Sequence, residues 1–291
     1  MSYTKRLDRA FENAPILPIT SNTKYVFFSD CHRGSGNNND NFLKNVNNYF
    51  AALQYYFQYG FSYIEVGDGD ELWENCKLNQ ITEIHSDIFL QLSKFQKSGR
   101  LYMLYGNHDI EKKSIKKDHG NLFPCLTVYE GLIFKPDNST VNLHVTHGHQ
   151  ADFLNSVLWR LAKFLVRHLW TPLENLGFSD PTSAAKNNTK KEKIEKRFIE
   201  YAKKSGCLLL AGHTHRPMLG NSTSPYYNCG SCVHPRCITC IELTGYNIRL
   251  VKWCSCTEKS GHFGNIYTNH PPIYPVYIKR EVLTSDTLTS L

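Results

Sequence analysis

Five short apolar runs recur along the chain, and each ends in a cluster of Asp, His, Asn and Gly. YVFFS (25–29) leads into Asp30, Cys31 and His32, and FSYIEV (61–66) leads into Gly67 and Asp68. LYMLY (101–105) leads into Gly106, Asn107, His108 and Asp109. VNLHVT (141–146) leads into His147, Gly148 and His149, and CLLLA (207–211) into Gly212, His213, Thr214 and His215. These runs have the length and the aromatic and branched content of strands. Helical spacing fills the intervals: Phe42, Val46, Tyr49, Phe50, Leu53 and Phe57 predict a helix over 42–59, and Ile84, Ile88, Leu92 and Phe95 one over 81–95. Strand–helix alternation predicts an α/β core. Polar clusters at strand carboxyl ends place a site in the crevice where open α/β sheets bind ligands. Gly-Asp and Gly-Asn are ordinary turn dipeptides, which explains one such cluster but not five rich in metal-type side chains.

Residues 153–204 differ. Leu154, Val157, Leu158, Leu161, Leu165 and Leu169 share one helical face, and Arg160, Lys163 and Arg167 the opposite one. Trp159 and Trp170 flank that stripe, a turn-rich stretch starts at Gly177, and a basic helical pattern runs over 190–204. The expected division is a discontinuous core, 21–152 with 205–280, and a helical cap inserted at 153–204. The stripe over 153–169 has three readings: a helix packed on its own core, a cap lining a substrate pocket, or a face docked at a membrane interface. No repeat of 20–50 residues is present.

A length of 291 residues suits one large domain with an insertion or two small ones. A formal charge of +7 suits anionic partners such as phosphorylated substrates, nucleic acid or an acidic membrane, without choosing among them. The first twenty residues lack the apolar core of a signal peptide, and no run is long and apolar enough to span a bilayer. The expectation is a cytoplasmic chain, with peripheral membrane contact as the variant, whose ten cysteines are thiols or metal ligands rather than disulfides.

Imidazole nitrogen and carboxylate oxygen are ready ligands for divalent transition metals. Asp30-x-His32 and His213-x-His215 each offer two ligands two residues apart, Asp68 supplies a carboxylate able to bridge, Asn107 a neutral carbonyl and His147 a further imidazole. Seven ligands with one shared suit two ions about 3.5–4 Å apart, which hold a phosphoryl group and activate a water. Mn²⁺ is the expected metal, with Fe²⁺ and Zn²⁺ compatible with the same N/O set.

The set Asp30-x-His32, Gly67-Asp68-x-x-Glu71, Gly106-Asn107-His108-Asp109, His147 and Gly212-His213-x-His215 resembles the calcineurin-like metallophosphoesterases, over roughly 24–255 and with all five motifs in order. The resemblance implies a four-layer αββα sandwich. It also implies that Asp30, His32 and His215 bind a first metal, that Asn107, His147 and His213 bind a second, and that Asp68 bridges. His108 would contact phosphate or protonate the leaving oxygen, with Asp109 orienting its ring and Glu71 standing behind the ligands. A metal-activated hydroxide would attack, so no covalent nucleophile is needed. More weakly, Gly-Asp-x-x-Glu-Leu-Trp, the insertion after His147 and the Gly212-His-Thr-His-Arg-Pro string resemble the UDP-2,3-diacylglucosamine hydrolases, pyrophosphohydrolases whose insertion receives acyl chains. Those enzymes carry Arg where this chain has His108, the residue of general phosphoesterases.

Arg33 and Arg216 directly follow ligand motifs and are candidate phosphate clamps, against salt bridges as the alternative; His149, which shares the loop of His147, is the third candidate substrate contact. Cys229, Cys232, Cys237 and Cys240 form C-x₂-C-x₄-C-x₂-C, which invites a structural zinc. The resemblance implies a strand through Cys237 and Cys240, which would turn them to opposite faces and argues against it. The basic run over 186–204 is interleaved with Glu192, Glu195 and Glu200, as in a solvated helix, so nucleic acid is not the expected partner. The expected substrate is a phosphorylated small molecule or a lipid-linked one. The competing functions are a nuclease and a non-catalytic binding protein of the same fold. Oligomeric state is not legible.

Overall fold

The computed structural model describes residues 1–37, 40–74, 77–114, 123, 126–174, 185, 187–257 and 276–288. Two sheets face each other. The larger runs β12-β11-β10-β2-β3-β4-β5, with β2 (Lys24–Phe28), β3 (Ser62–Val66), β4 (Leu101–Leu104) and β5 (Val128–Tyr129) parallel. Its other three strands, β10 (Cys237–Thr244), β11 (Asn247–Thr257) and β12 (Val276–Thr287), continue it antiparallel. The smaller sheet runs β1-β6-β7-β8-β9, through Ile16–Ile19, Gly131–Pro136, Leu143–Thr146, Leu208–Ala211 and Tyr226–Asn228.

The period-2 pattern of each strand decides which core its side chains join. From β2, Tyr25 and Phe27 enter the core between the sheets, where they meet Phe134 of β6 edge-on. Val26 and Phe28 point the other way, onto α2 (Val46–Gln58) and α4 (Ser86–Lys97). In β8, Leu208 and Leu210 face the partner sheet, while Leu209 and Ala211 meet α1 (Tyr3–Glu12) and α8 (Asn188–Ser205). Helices therefore cover both outer faces of a double sheet, the αββα order expected.

The expected boundaries shift in three places. The core begins before residue 21, because β1 pairs with β6 and α1 packs on the smaller sheet, and β12 carries it past 280 to Thr287. The helix expected over 81–95 divides at His85 into α3 (Leu78–Ile84) and α4. His85 leaves helical geometry, its Nε2 3.0 Å from the Asp40 carboxylate. Finally, α8 was expected in the cap but is an outer layer of the sandwich, burying Ile194, Phe198, Tyr201 and Ala202 against the smaller sheet. Asn187 caps it by accepting the Lys190 N–H at 3.1 Å, and Gly206 ends it in left-handed geometry.

The stretch 153–174 is a broken helical arm: α5 (Phe153–Ser156), α6 (Trp159–Leu165), a π-helical turn Val166–Trp170 and α7 (Thr171–Glu174). The turn-rich stretch expected from Gly177 lies outside the described residues. The arm's polar side faces the body: Lys163 Nζ lies 2.6 Å from Glu111, and Arg167 donates to the carbonyls of Trp73 and Leu72 at 2.8 and 3.0 Å. Its apolar side faces outward, with Phe153, Val157, Leu158, Leu161, Phe164 and Leu169 all exposed. The stripe therefore does not pack on the chain's own core as an ordinary amphipathic helix does. Among the described residues no helix is long and apolar enough to cross a membrane.

Candidate metal centre

All seven expected ligands lie just beyond strand ends on one edge of the sandwich. Asp30 and His32 follow β2, Asp68 follows β3 and Asn107 follows β4, all in the larger sheet; His147 follows β7, and His213 and His215 follow β8, in the smaller. Backbone hydrogen bonds lace the loops together: Asp30 N to Gly67 O at 3.1 Å, His32 N to Asp68 O at 2.9 Å, and Gly212 N to His147 O at 3.0 Å.

Five of the seven sit at positive φ: Asp30 at 54°, His32 at 47°, Asp68 at 49°, His213 at 66° and His215 at 55°. Left-handed backbone costs a non-glycine residue on the order of 1–3 kcal/mol and persists where the surroundings impose it. Here it interrupts each strand and turns residues two apart, Asp30 with His32 and His213 with His215, into the same crevice. The glycines between them are set by close approach. A methyl group on Gly106 would overlap Asp68 Oδ1, and one on Gly212 would overlap Ser29 Oγ and Asp30 Oδ2.

Two ligand groups draw together, Asp30–His32–His215 and Asp68–His147–His213. In the first, His215 Nε2 lies 3.0 Å from Asp30 Oδ1 and 3.3 Å from His32 Nε2. In the second, His147 Nε2 lies 3.0 Å from Asp68 Oδ2. That same Asp68 oxygen is 3.9 Å from His32 Nε2, so it stands between the groups. The remaining oxygens are committed elsewhere. Asp30 Oδ2 accepts from Ser29 Oγ at 2.5 Å and from His213 N at 2.9 Å, while Asp68 Oδ1 accepts from His108 N at 2.7 Å. The ring nitrogens divide likewise. His147 Nδ1–H donates to Val66 O at 2.9 Å and His32 Nδ1 is held by Glu71 at 2.8 Å, each leaving Nε2 for a ligand bond.

The residues fit divalent cations. Asp30 Oδ1, Asn107 Oδ1 and His147 Nε2 are buried without a hydrogen-bond partner, which is costly unless something else satisfies them. The electrostatics point the same way. Burial alone would raise the Asp68 carboxyl, but His147, His108 and His32 hold it well below the usual carboxylate range. Burial would lower His147, but Asp68 and Asp30 outweigh it and push it up to about 9. Asp68 and His147 thus favour positive charge beside them, the condition a metal ion meets, whereas burial outweighs the carboxylates at His213 and His215 and lowers both. A third group, Glu65–Asp70–Asp109, is buried and already paired with two cations. Arg33 lies 2.8 Å from Glu65 and 2.7 Å from Asp70, and Lys112 Nζ lies 2.7 Å from both Asp70 and Asp109.

His108 stands at the rim, partly exposed. Its Nδ1 is 2.8 Å from Glu71, and its ring stacks on Trp73 with centroids 4.3 Å apart. Glu71, expected only to stand behind the ligands, therefore holds His32 and His108 together. Burial would lower His108, but the carboxylates of Glu71 and Asp68 raise it. Asp109 does not orient this ring. Its carboxylate accepts the backbone N–H groups of Gly106, Asp68 and Gly69 at 2.7, 3.2 and 3.0 Å, fixing the loop that carries Asp68.

The three expected substrate contacts are placed differently. Arg33 is fully buried and paired with Glu65 and Asp70, as the salt-bridge alternative has it. Arg216 pairs with Glu195 of α8 and stays half-exposed. His149 is buried, its ring centroid 5.6 Å from that of His147, and burial with the neighbouring imidazoles of His147 and His213 holds it well below the usual imidazole range. The four cysteines do not converge: Cys229 joins the core between the sheets, Cys232 and Cys240 the core under α2 and α4, and Cys237 is half-buried at the start of β10. Sequence reasoning passed over Asp152, whose Oδ2 lies 3.5 Å from His213 Nε2, and His234, whose Nε2 lies 2.9 Å from His215 O. Neither belongs to a recognisable spacing, and only the folded loops bring them in.

A family profile described as calcineurin-like phosphoesterase matches residues 23–217, and the chain belongs to that family. No curated protein matches the chain. Solved structures similar to it include Vacuolar Protein Sorting 29 from Cryptosporidium parvum, at 12% identity and TM-score 0.38, covering 89% of this chain and 98% of that one. An uncharacterised protein of Streptococcus pneumoniae, described as a predicted phosphoesterase, is similar at 14% identity and TM-score 0.35, covering 88% and 98%. A cold-active protein tyrosine phosphatase, as its I115M mutant, is similar at 12% identity and TM-score 0.41, covering 81% and 78%.

Proposed function

We propose that the protein hydrolyses a phosphoester or phosphoanhydride bond at a centre of two divalent ions, Mn²⁺ foremost and Fe²⁺ or Zn²⁺ in its place. The observation that carries this reading is Asp68 Oδ2, 3.0 Å from His147 Nε2 of one ligand group and 3.9 Å from His32 Nε2 of the other. Asp30, His32 and His215 would hold one ion, Asn107, His147 and His213 the other, and Asp68 both. Ions so held supply Lewis acidity toward the phosphoryl oxygens and an activated water. The chain's own groups do the rest. Glu71 fixes the His108 ring through Nδ1, which leaves Nε2 to donate a proton to the leaving oxygen. Trp73 stacked beneath the ring restricts its rotation. Asp109 holds the Asp68 loop, so the bridging carboxylate is positioned before substrate arrives.

The test is a metal-supplemented screen across phosphomonoesters, phosphodiesters, cyclic nucleotides and nucleotide-linked pyrophosphates, with Asp68→Ala as the control. Hydrolysis by the wild type that is absent from the variant supports the reading. Equal activity of the two overturns it. A second reading, a lipid-linked substrate with contact at a membrane surface, is supported by the exposed apolar side of the 153–174 arm, whose Arg167 reaches the carbonyl of Trp73 beside His108. Faster turnover of pyrophosphates bearing acyl chains than of their soluble counterparts would favour it.

A further inference from the structure

The four strands that end the two sheets differ in length. β5, β1 and β9 have two, four and three residues, the short edges that ordinarily keep a sheet from pairing with another chain. β12 has twelve, and among the described residues β11 is the one strand it pairs with. Its outer edge therefore presents a row of backbone N–H and C=O groups with no described strand beside them. Val276, Tyr277, Val282 and Leu283 are exposed along it.

Side chains of β12 alternate between two faces. On the face toward α2, Ile278 packs on the core under α2 and α4, and Val282 stands opposite Val251. Arg280, between them, is already committed. Its Nε lies 2.8 Å from Glu242 Oε1, and its guanidinium lies 5.5 Å from the centre of the Tyr55 ring. Tyr277, Lys279 and Glu281 take the other face, with Glu281 2.8 Å from Lys252 Nζ. Leu283 is the extra residue where the ladder shifts between Leu250 and Val251, so it ends the regular stretch.

Two copies of this strand can extend each other's sheet antiparallel, about a two-fold axis normal to the sheet, which sets residues of the same face against each other. With the axis at Arg280, Lys279 of each copy meets Glu281 of the other, Ile278 meets Val282, and Tyr277 reaches Leu283. Apolar residues thus meet apolar ones, and unlike charges meet twice. Moving the axis by one residue sets Lys279 or Glu281 against its own copy, and like charges directly opposite are unfavourable. Arg280 does face itself across the axis, but each copy is paired with its own Glu242. A cleft lined by Phe50, Ala51, Ser255, Val276 and Ile278 lies on the α2 side, and Val282 of the second copy would be brought beside Ile278 there.

We propose that the outer edge of β12 is a dimerisation surface for a second copy of this chain, joined antiparallel about Arg280 so that the two larger sheets run into one. Main-chain hydrogen bonds supply the attraction, as in other strand additions, and the two Lys279–Glu281 pairs fix the register. Lys on an edge strand ordinarily prevents pairing. Here its charge is answered by Glu281 of the same strand in the other copy. The proposal stands apart from the metal-centre reading and does not depend on it.

The experiment is sedimentation velocity of the full chain over a concentration series reaching about 100 μM, with a reductant present so that thiols do not crosslink. The proteins are the wild type, Lys279→Glu, Glu281→Lys and the double variant that carries both changes. Each single change sets like charges together twice across the axis, and the double variant restores two unlike pairs. Thermal melts establish that each variant is folded. The expected result is a concentration-dependent wild-type dimer, a dissociation constant raised about tenfold or more in either single variant, and near wild-type association of the double variant. An equimolar mixture of the two single variants should dimerise where neither does alone, because each then offers the charge the other lacks. Amide exchange within 276–283 of the wild type should slow as its concentration rises. A wild type that stays monomeric over the series overturns the proposal and leaves the edge to a different partner. Single variants that dimerise as tightly as the wild type also overturn it, because the contact then lies elsewhere. So do single variants that fold and dissociate but fail to pair when mixed.

Discussion

The crevice and the helical arm obey opposite rules. In the crevice, backbone is forced into left-handed geometry at five ligands and neighbouring loops approach so closely that Gly106 and Gly212 admit no methyl group. In the arm the helix breaks into short pieces, turns its polar groups inward and leaves six large apolar side chains in solvent. The first region spends conformational energy to fix atoms in place. The second leaves apolar surface uncovered, which a folded chain ordinarily removes from water. Local strain thus marks the crevice that gathers the candidate ligands, and unburied hydrophobic area marks the arm.

Four measurements sharpen or break this contrast. The largest effect belongs to the crevice: Asp68→Ala should take hydrolysis of an aryl phosphodiester to background and lower the bound metal below that of the wild type, read by elemental analysis. If the variant keeps wild-type turnover, the strained loops are not a catalytic scaffold. His108→Ala should slow turnover about 10²–10⁴-fold, the usual range for a general acid, with the metal content unchanged. Loss of metal in that variant would instead make His108 a ligand. Removal of metal by chelation should lower the melting temperature. Restoring Mn²⁺ to about a hundred times its dissociation constant should return about 2.7 kcal/mol for each ion bound. An unshifted melt would mean that the left-handed loops hold without an ion. The smallest effect belongs to the arm. Leu161→Ser with Phe164→Ser should change unfolding free energy by no more than about 0.5 kcal/mol per site, as exposed positions do, in a urea titration. A loss of several kcal/mol would show that the outward face is buried after all.

The same contrast governs what could be read in advance. The convergence of the seven candidate ligands was legible because each follows a strand-length apolar run, and strands of both sheets end at the same edge. The layer order was legible only through resemblance, since alternation within β2 and β8 does not reveal that two different sheets meet between them. The broken helix at His85 escaped because the group its ring meets, the Asp40 carboxylate, is distant in sequence. Arg33 looked like a phosphate clamp because it adjoins His32, but Glu65 and Asp70 reach it first from β3 and the loop after it. Asp109 looked like the partner of His108 because it is next to it, yet Glu71 takes that place across the crevice. The cap at 153–204 read as one unit because its pattern is uniformly helical. Whether a helix lies on a sheet, as α8 does, or stands off it, as the arm does, depends on surfaces elsewhere in the chain.

The ligands come from both sheets, and this has a consequence for assembly. The first triad joins residues 30 and 32 to 215, and the second joins 68 to 147 and 213. Neither is complete until the chain through β8 has been made and the smaller sheet has docked on the larger. A nascent chain therefore offers an ion only fragments of a site, Asp30 with His32 or Asp68 with Asn107 and His147. Loading becomes a late event that reports a correctly closed sandwich, and an ion once bound acts as a clasp across the open edge, opposing separation of the two sheets.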